Sequence, residues 1–435
     1  MVAAGLGLKR ATGTRPSRQR RWPLLAAIVI CGLATAAYLG DVLLHHPGQM
    51  LDWYDLNVYN HGGLIARNAP RRLYSWQLHP GIKFTYTPFA ALMFAAFSLL
   101  PWAVLRWLMT VAGLAAIGVT IWLTLGALGW HARQRATGLA AVAAVALWLE
   151  PVQRALHLGQ IEPLLMVLIV WDICQPDRRR WKGIGIGVAA GIKLTPLVFI
   201  PYLFLAGKVR QAAVVTAAFA GTVAIGFVFL PHASEKYWLT GYFLHASNVG
   251  DVKSLLNQSV LGLVARSIHS VRHATPLWLA LSVVLAVLGL GAAAVLDRAG
   301  RAVAGWLTCE LTSLLIFPIS WDHHWIWVVP ALALLADTAL RATGAARWAW
   351  WGLAAAVAVL FGAWGTLPLG EVHPLPGALQ PVSQNLFVLA GLALLAVAVV
   401  AAWHQRVTGN EQPVTEKLDH AMTRTSLGPP RSSVK

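Results

Sequence analysis

Apolar residues in this chain arrive in long unbroken blocks, not at amphipathic spacing; residues 22–40, 212–230, 277–296, 325–340 and 386–400 are examples. Each block approaches the ~20 residues that a helix needs to cross a hydrocarbon core. A large soluble domain can bury one such block, but not a series running the length of the chain. The pattern predicts an all-α polytopic membrane protein. Basic residues collect in the short polar connections at 9–21, 178–182, 208–210, 298–301, 341–347 and Arg406, as the positive-inside bias places them in cytoplasmic loops.

With those loops as inside markers, the second half threads cleanly. Residues 183–206 go out and back as two short helices, because Thr195-Pro196 breaks a stretch too short for two spans of ~20 residues. Block 212–230 then runs outward, 231–276 is external, and 277–296, 302–320, 325–340, 348–366 and 386–400 alternate to leave the tail inside. In the first half, 22–40 runs outward and 41–83 is a long external loop. Four apolar blocks follow before Arg178 where an odd number of crossings is required, so one is re-entrant or peripheral. The expectation is about 11 to 13 transmembrane helices, with a basic cytoplasmic segment over 1–21, one membrane domain over 22–403, and a structureless cytoplasmic tail over 404–435.

Composition sharpens this reading. Hydrophobic residues make up 57% of the 435 and charged residues only 12%, against roughly 25% charged in a soluble domain. The net charge of +17 would suit a nucleic-acid binder, but its confinement to short loops suits orientation and anionic lipid headgroups instead. Cys31, Cys174 and Cys309 all fall in apolar segments without metal-ligand spacing, as inert thiols do. The first block follows a basic stretch, and with many spans behind it reads as a retained signal-anchor. Gly183, Gly187 and Gly191 follow no strand, so they make no dinucleotide loop; four apart, they offer a helix face for close packing.

Chemistry is expected where polar groups meet the apolar blocks, since burying them without a task is costly. The first external loop carries Asp52 and Asp55, able to project from one side of a short helix, among Trp53, Tyr54, Tyr59, Tyr74 and Trp76. A solvated loop with capping aspartates is the plainer alternative. Asp322, His323 and His324 form a second group; adjacent histidines diverge by about 100° on a helix, which favours hydrogen bonding or phosphate binding over a zinc site, with a structural pair capping the helix entry as the plainer alternative. Lys193, in the turn of the short helix pair, requires an anion or snorkels to the interface. Gln160 and Glu162 follow His157 at the start of another block and suit hydroxyl recognition or helix capping. Arg154, Lys253, Asn257 and Gln258 add polar capacity near the outer face.

Taken in order, Asp55, Thr87-Pro88, Gly159-Gln160, the Gly191–Pro196 stretch with Lys193 and Thr195, Asn257-Gln258-Ser259 and Ser320-Trp321-Asp322-His323-His324 resemble the polyprenyl-phosphate-mannose-dependent α-(1→2)-mannosyltransferases, glycosyltransferase family 87. The resemblance implies a GT-C fold and a β-mannosyl phosphate donor on a polyprenol. It further implies a mannosylated glycolipid acceptor, either a phosphatidylinositol mannoside or lipomannan and lipoarabinomannan, in the plasma membrane. It implies Asp55 as the general base on the external (periplasmic) face, with Asp52 as fallback. His323, His324 and Lys193 are then candidates for the donor phosphate. Tyr59, Gln160, Glu162, Arg154, Lys253, Asn257 and Gln258 are candidates for substrate binding. No metal or other cofactor is expected, and both termini are expected in the cytoplasm. The competing readings are a lipid-linked sugar flippase or transporter, which would share spans and half-helices but shows no internal repeat, and a GT-C enzyme using another donor such as polyprenyl-phosphate-arabinose or transferring mannose to protein.

Overall fold

The computed structural model describes residues 22–45, 51–78, 83–362 and 377–410. The expected segment 1–21 and most of the expected tail lie outside them. Among the described residues there is no strand, only isolated bridges such as Asn257 with Trp321. The helices, in order, are α1 (Trp22–His45), α2 (Tyr54–Asn68), α3 (Pro88–Phe97), α4 (Trp102–Ala127), α5 (Ala132–Ala146), α6 (Glu150–Leu158), α7 (Glu162–Ile173), α8 (Ile184–Ile192) and α9 (Phe199–Leu205). They continue as α10 (Val209–Phe229), α11 (Pro231–Ser234), α12 (Val260–Ser267), α13 (Val271–Arg298), α14 (Ala302–Ile316), α15 (Val328–Arg341), α16 (Gly344–Leu360), α17 (Gln380–Ser383) and α18 (Leu386–Asn410). The last helix thus runs beyond residue 403, where the tail was expected to begin.

Among the described residues, four helices, α4, α10, α13 and α18, are long and apolar enough to cross a membrane alone. A fifth span arises if α6 and α7, bent by 115° at a short break, count together. The protein is therefore a multi-pass membrane protein. Several other apolar blocks are present as helices of 10–17 residues, including Pro88–Phe97, Thr195–Leu205 and Ala302–Ile316. Local chemistry explains the shortening. Thr87 caps α3 by accepting from the Ala90 amide at 3.1 Å, and Pro88 fills the first helical position, where no donor is needed. Gly159 ends α6 in the left-handed region at φ 66, which a side chain resists, and a Cβ there would stand 2.8 Å from that of Leu56. The chain turns and restarts as α7 at Glu162-Pro163. This bend is a discontinuity in the first-half blocks of the kind that threading required.

The short helix pair is also present: α8 ends at Ile192, Lys193 is extended, and a 3-10 turn over Thr195–Val198 leads into α9. Asp172 of α7 anchors the α8 start, its carboxylate accepting the Gly183 amide at 2.9 Å and the Ile186 amide at 3.0 Å. A carboxylate suits the positive end of a helix. The glycine face packs as expected: a Cβ on Gly187 would stand 2.5 Å from that of Ala218 in α10, and one on Gly191 would collide with Thr222. Close backbone approach holds Lys193 firmly, because α8 cannot slide on α10.

Candidate active site

The first loop arrives at the site through a strained turn. Trp53 adopts φ 51, in the left-handed region, at a cost of order 1–2 kcal/mol for a bulky residue. Its surroundings impose that geometry. The Asp52 and Trp53 amides donate to the His157 carbonyl at 3.2 and 2.9 Å. The Trp53 indole donates to Thr110 at 3.2 Å and carries the Arg106 guanidinium 4.7 Å above its ring. Helix α2 starts immediately afterwards, with Asp55 in its first turn. The two aspartates consequently part company. Asp52 is exposed and accepts the Tyr54 amide at 2.6 Å. Burial alone would raise its carboxyl, yet the hydrogen bond and charge of His157, 3.5 Å away, bring it below its usual value.

Asp55 turns inward, enclosed by protein yet still in part open to solvent. Burial pushes its carboxyl up to about 6, against the pull of His323 and Lys193 and with Glu162 and Asp52 pushing the same way. Its direct partner is Gln160, whose amide nitrogen donates to Asp55 Oδ2. The same nitrogen lies 3.0 Å from His323 Nε2, and the Gln160 carbonyl accepts from the Tyr59 hydroxyl at 2.6 Å. Tyr59 in turn meets Tyr86 at 2.8 Å. Behind His323, its Nδ1 lies 3.1 Å from Asp322 Oδ1, and Arg154 Nε donates to Asp322 Oδ2 at 3.2 Å. With Nδ1–H given to Asp322, Nε2 presents a lone pair to the Gln160 amide. Every polar atom of the Gln160 side chain is then satisfied.

A second cluster adjoins the first. The Lys193 ammonium donates to Glu162 Oε1 and lies 2.8 Å from His324 Nε2. That Nε2 is itself 3.3 Å from Glu162 Oε1, while His323 Nε2 is 4.0 Å from it. Glu162, His323 and His324 bring ligand atoms within 4.8 Å of one another, a set able to hold a metal ion. Lys193, however, already supplies a cation to the same Glu162 oxygen and the same His324 nitrogen. Glu162, Lys193, Ser320 and His324 line a narrow cleft. Leu165, Met166 and Ile169 of α7 add an apolar wall, and α14 contributes Leu314 together with Glu310 and Ser313.

Asp55, Tyr59, Arg154, Gln160, Glu162, Lys193, His323 and His324 thus come together from well-separated stretches of chain, 55–59, 154–162, 193 and 323–324. Asn257 and Gln258 do not join them. Asn257 donates to the Val252 and Pro318 carbonyls and accepts the Ser320 amide, while Gln258 clamps Leu255, Gln384 and the Phe387 amide. Their work is to pin residues 252–259 to the segment that presents His323 and His324. Lys253 is exposed and takes no part in the network. Sequence reasoning passed over Tyr86 and Glu310; the latter was visible as a lone carboxyl within an apolar block.

The profile of glycosyltransferase family 87 matches residues 84–318, so α2 with Asp55 falls outside the matched span. The chain is 31% identical over 79% of its length, and 78% of the relative's, to a polyprenol-phosphate-mannose-dependent alpha-(1-2)-phosphatidylinositol pentamannoside mannosyltransferase of Mycobacterium tuberculosis. It is 30% identical to a protein of the same description from Mycolicibacterium smegmatis, over 77% of this chain and 80% of that one. A phosphatidylinositol mannoside mannosyltransferase of Mycolicibacterium smegmatis, dependent on the same donor, is 31% identical over 89% of this chain and 92% of its own. No solved structure matches.

Proposed function

The chain belongs to glycosyltransferase family 87, and on that premise we propose that it transfers mannose from polyprenyl-phosphate-mannose to a phosphatidylinositol mannoside, forming an α-(1→2) bond with inversion. The substrates are those for which its relatives are named. The observation that carries the chemistry is Gln160, which joins a partly open carboxylate to His323 beside a lysine–histidine pair.

Asp55 acts as the general base. A group near pKa 6 is ionised at neutral pH and remains basic enough to take a proton in the transition state. The acceptor 2-hydroxyl loses its proton to Asp55 as its oxygen attacks the anomeric carbon opposite the phosphate. The bond from that carbon to the phosphate oxygen breaks, and its electron pair leaves with polyprenyl phosphate. Lys193 faces the growing negative charge as a preformed cation, with His324 beside it as a neutral hydrogen-bonding neighbour. His323, held by Asp322 and Arg154, orients Gln160 and through it the base. One carboxylate at the attacking oxygen suffices for inversion, in contrast to the closely spaced carboxylate pair of a retaining glycosidase. The site faces the external side of the plasma membrane and both termini face the cytoplasm, a placement supported by the basic loops.

The test is transfer of labelled mannose from polyprenyl-phosphate-mannose to phosphatidylinositol mannosides by the purified protein. The product should lose its label to an α-1,2-specific mannosidase. Intact donor binding without transfer to any glycolipid acceptor would support the flippase reading instead.

A further inference from the structure

Glu310 lies near the middle of α14 and is 5% exposed. Its Oε2 meets no hydrogen-bond partner. The neighbouring hydroxyls have a local outlet: Thr308 and Thr312 each donate to the carbonyl four residues back, at 2.7 Å. A carboxyl has none, and an acid kept within an apolar helix is a functional group until shown otherwise. The space it borders points to the ligand, for Glu310 lines the same cleft as Lys193 and His324, with Ser313, Ser320 and Trp327.

Two chemistries can satisfy the free oxygen: a carboxylate accepting from a hydroxyl, or a carboxylic acid donating to an anion. The first places an ion in apolar surroundings and sets like charge beside whatever anion Lys193 and His324 attract. The second removes both difficulties, because a neutral carboxylic acid in an apolar pocket is a strong donor to a developing anion. We propose that Glu310 donates a hydrogen bond to the phosphate of the lipid-linked donor and forms the leaving-group side of the site. This rests on the functional reading above. The proton stays on Glu310 throughout; the group stabilises the phosphate before and after the sugar leaves.

The experiment compares wild type, Glu310→Gln and Glu310→Leu in binding polyprenyl phosphate, the sugar-free product, and in mannose transfer. Glutamine keeps a donor, so Glu310→Gln should remain within about threefold of wild type in both. Leucine has none, and loss of a hydrogen bond to a charged group predicts about tenfold or greater weakening of polyprenyl phosphate binding. The KM for the acceptor should not change. Leucine also suits an apolar helix, so Glu310→Leu is expected to keep the melting temperature of wild type. A glutamine variant as impaired as leucine would mean that a carboxylate is needed, and would overturn the proposal. Unchanged binding in Glu310→Leu, with wild type active in transfer, would also overturn it and leave the functional reading intact. A wild type that binds neither polyprenyl phosphate nor its mannosyl form would sink both.

Discussion

Replacing Gln160 by leucine is the most informative perturbation of the base. The side chain keeps its approximate volume but loses the N–H that Gln160 gives to Asp55 and the carbonyl that accepts from Tyr59. A hydrogen bond to a charged group contributes about 1.5–3 kcal/mol, and each pKa unit corresponds to about 1.4 kcal/mol. Because Asp55 is in part open to water, the lower end applies, a rise of roughly one unit from about 6. The sign follows from the lost donor, which had favoured the ionised form. The acid limb of kcat/KM should therefore move from near pH 6 to near pH 7. At pH 8 both enzymes hold an ionised base, and the remaining deficit, about tenfold, reports a misaligned carboxylate. At pH 6.5 the deficit should grow to roughly thirtyfold, because less of the variant's base is ionised. The assay is mannose transfer between pH 5 and 9, with donor and acceptor each varied. If Gln160 instead holds a substrate hydroxyl, KM for that substrate will rise and the acid limb will stay in place. That result would refute the positioning argument.

Asp52→Asn should change kcat/KM by less than about threefold and leave the acid limb near pH 6, because Asp52 is exposed and turned toward His157; loss of that limb would return Asp52 to the role of base. Tyr59→Phe removes the support behind Gln160 and the partner of the Tyr86 hydroxyl, and should cost about threefold to tenfold in kcat, at the modest scale of neutral hydrogen bonds. Lys193→Met should weaken polyprenyl phosphate binding by tenfold or more. It should also lower the melting temperature, since Glu162 is left as a buried, uncompensated charge. Dialysis against EDTA should leave transfer within about twofold, because Lys193 occupies the position between Glu162 and His324; activity lost to EDTA and restored by a divalent ion would show that a metal displaces the lysine.

The membrane class was legible in the sequence because a 20-residue apolar block has few other uses. The break at Thr195-Pro196 and the small-residue face of α8 were legible for equally local reasons, a proline and a four-residue spacing. The site was legible as residue types but not as a network. Nothing local to Gln160 reveals that Tyr59 and Asp55 of α2 and His323 converge on one amide from two other segments. Trp53 hid the separation of the aspartates, since helical spacing places Asp52 and Asp55 on one side while its left-handed turn sends them apart. Asn257 and Gln258 have the chemistry of sugar ligands, yet backbone groups claim both, as backbone satisfaction demands wherever an irregular segment is buried. The full count of crossings was not legible, because proline and glycine cut apolar blocks into helices shorter than the bilayer.

The central claim is that Asp55 takes the proton from the acceptor. Mannose transfer by purified wild type and Asp55→Asn, with donor binding measured on both, tests it most directly. The account predicts an asparagine variant that folds, binds polyprenyl-phosphate-mannose as wild type does, and transfers at least a thousandfold more slowly, near the scale of a lost general base. A variant that transfers within tenfold of wild type would contradict it and move the base to another residue.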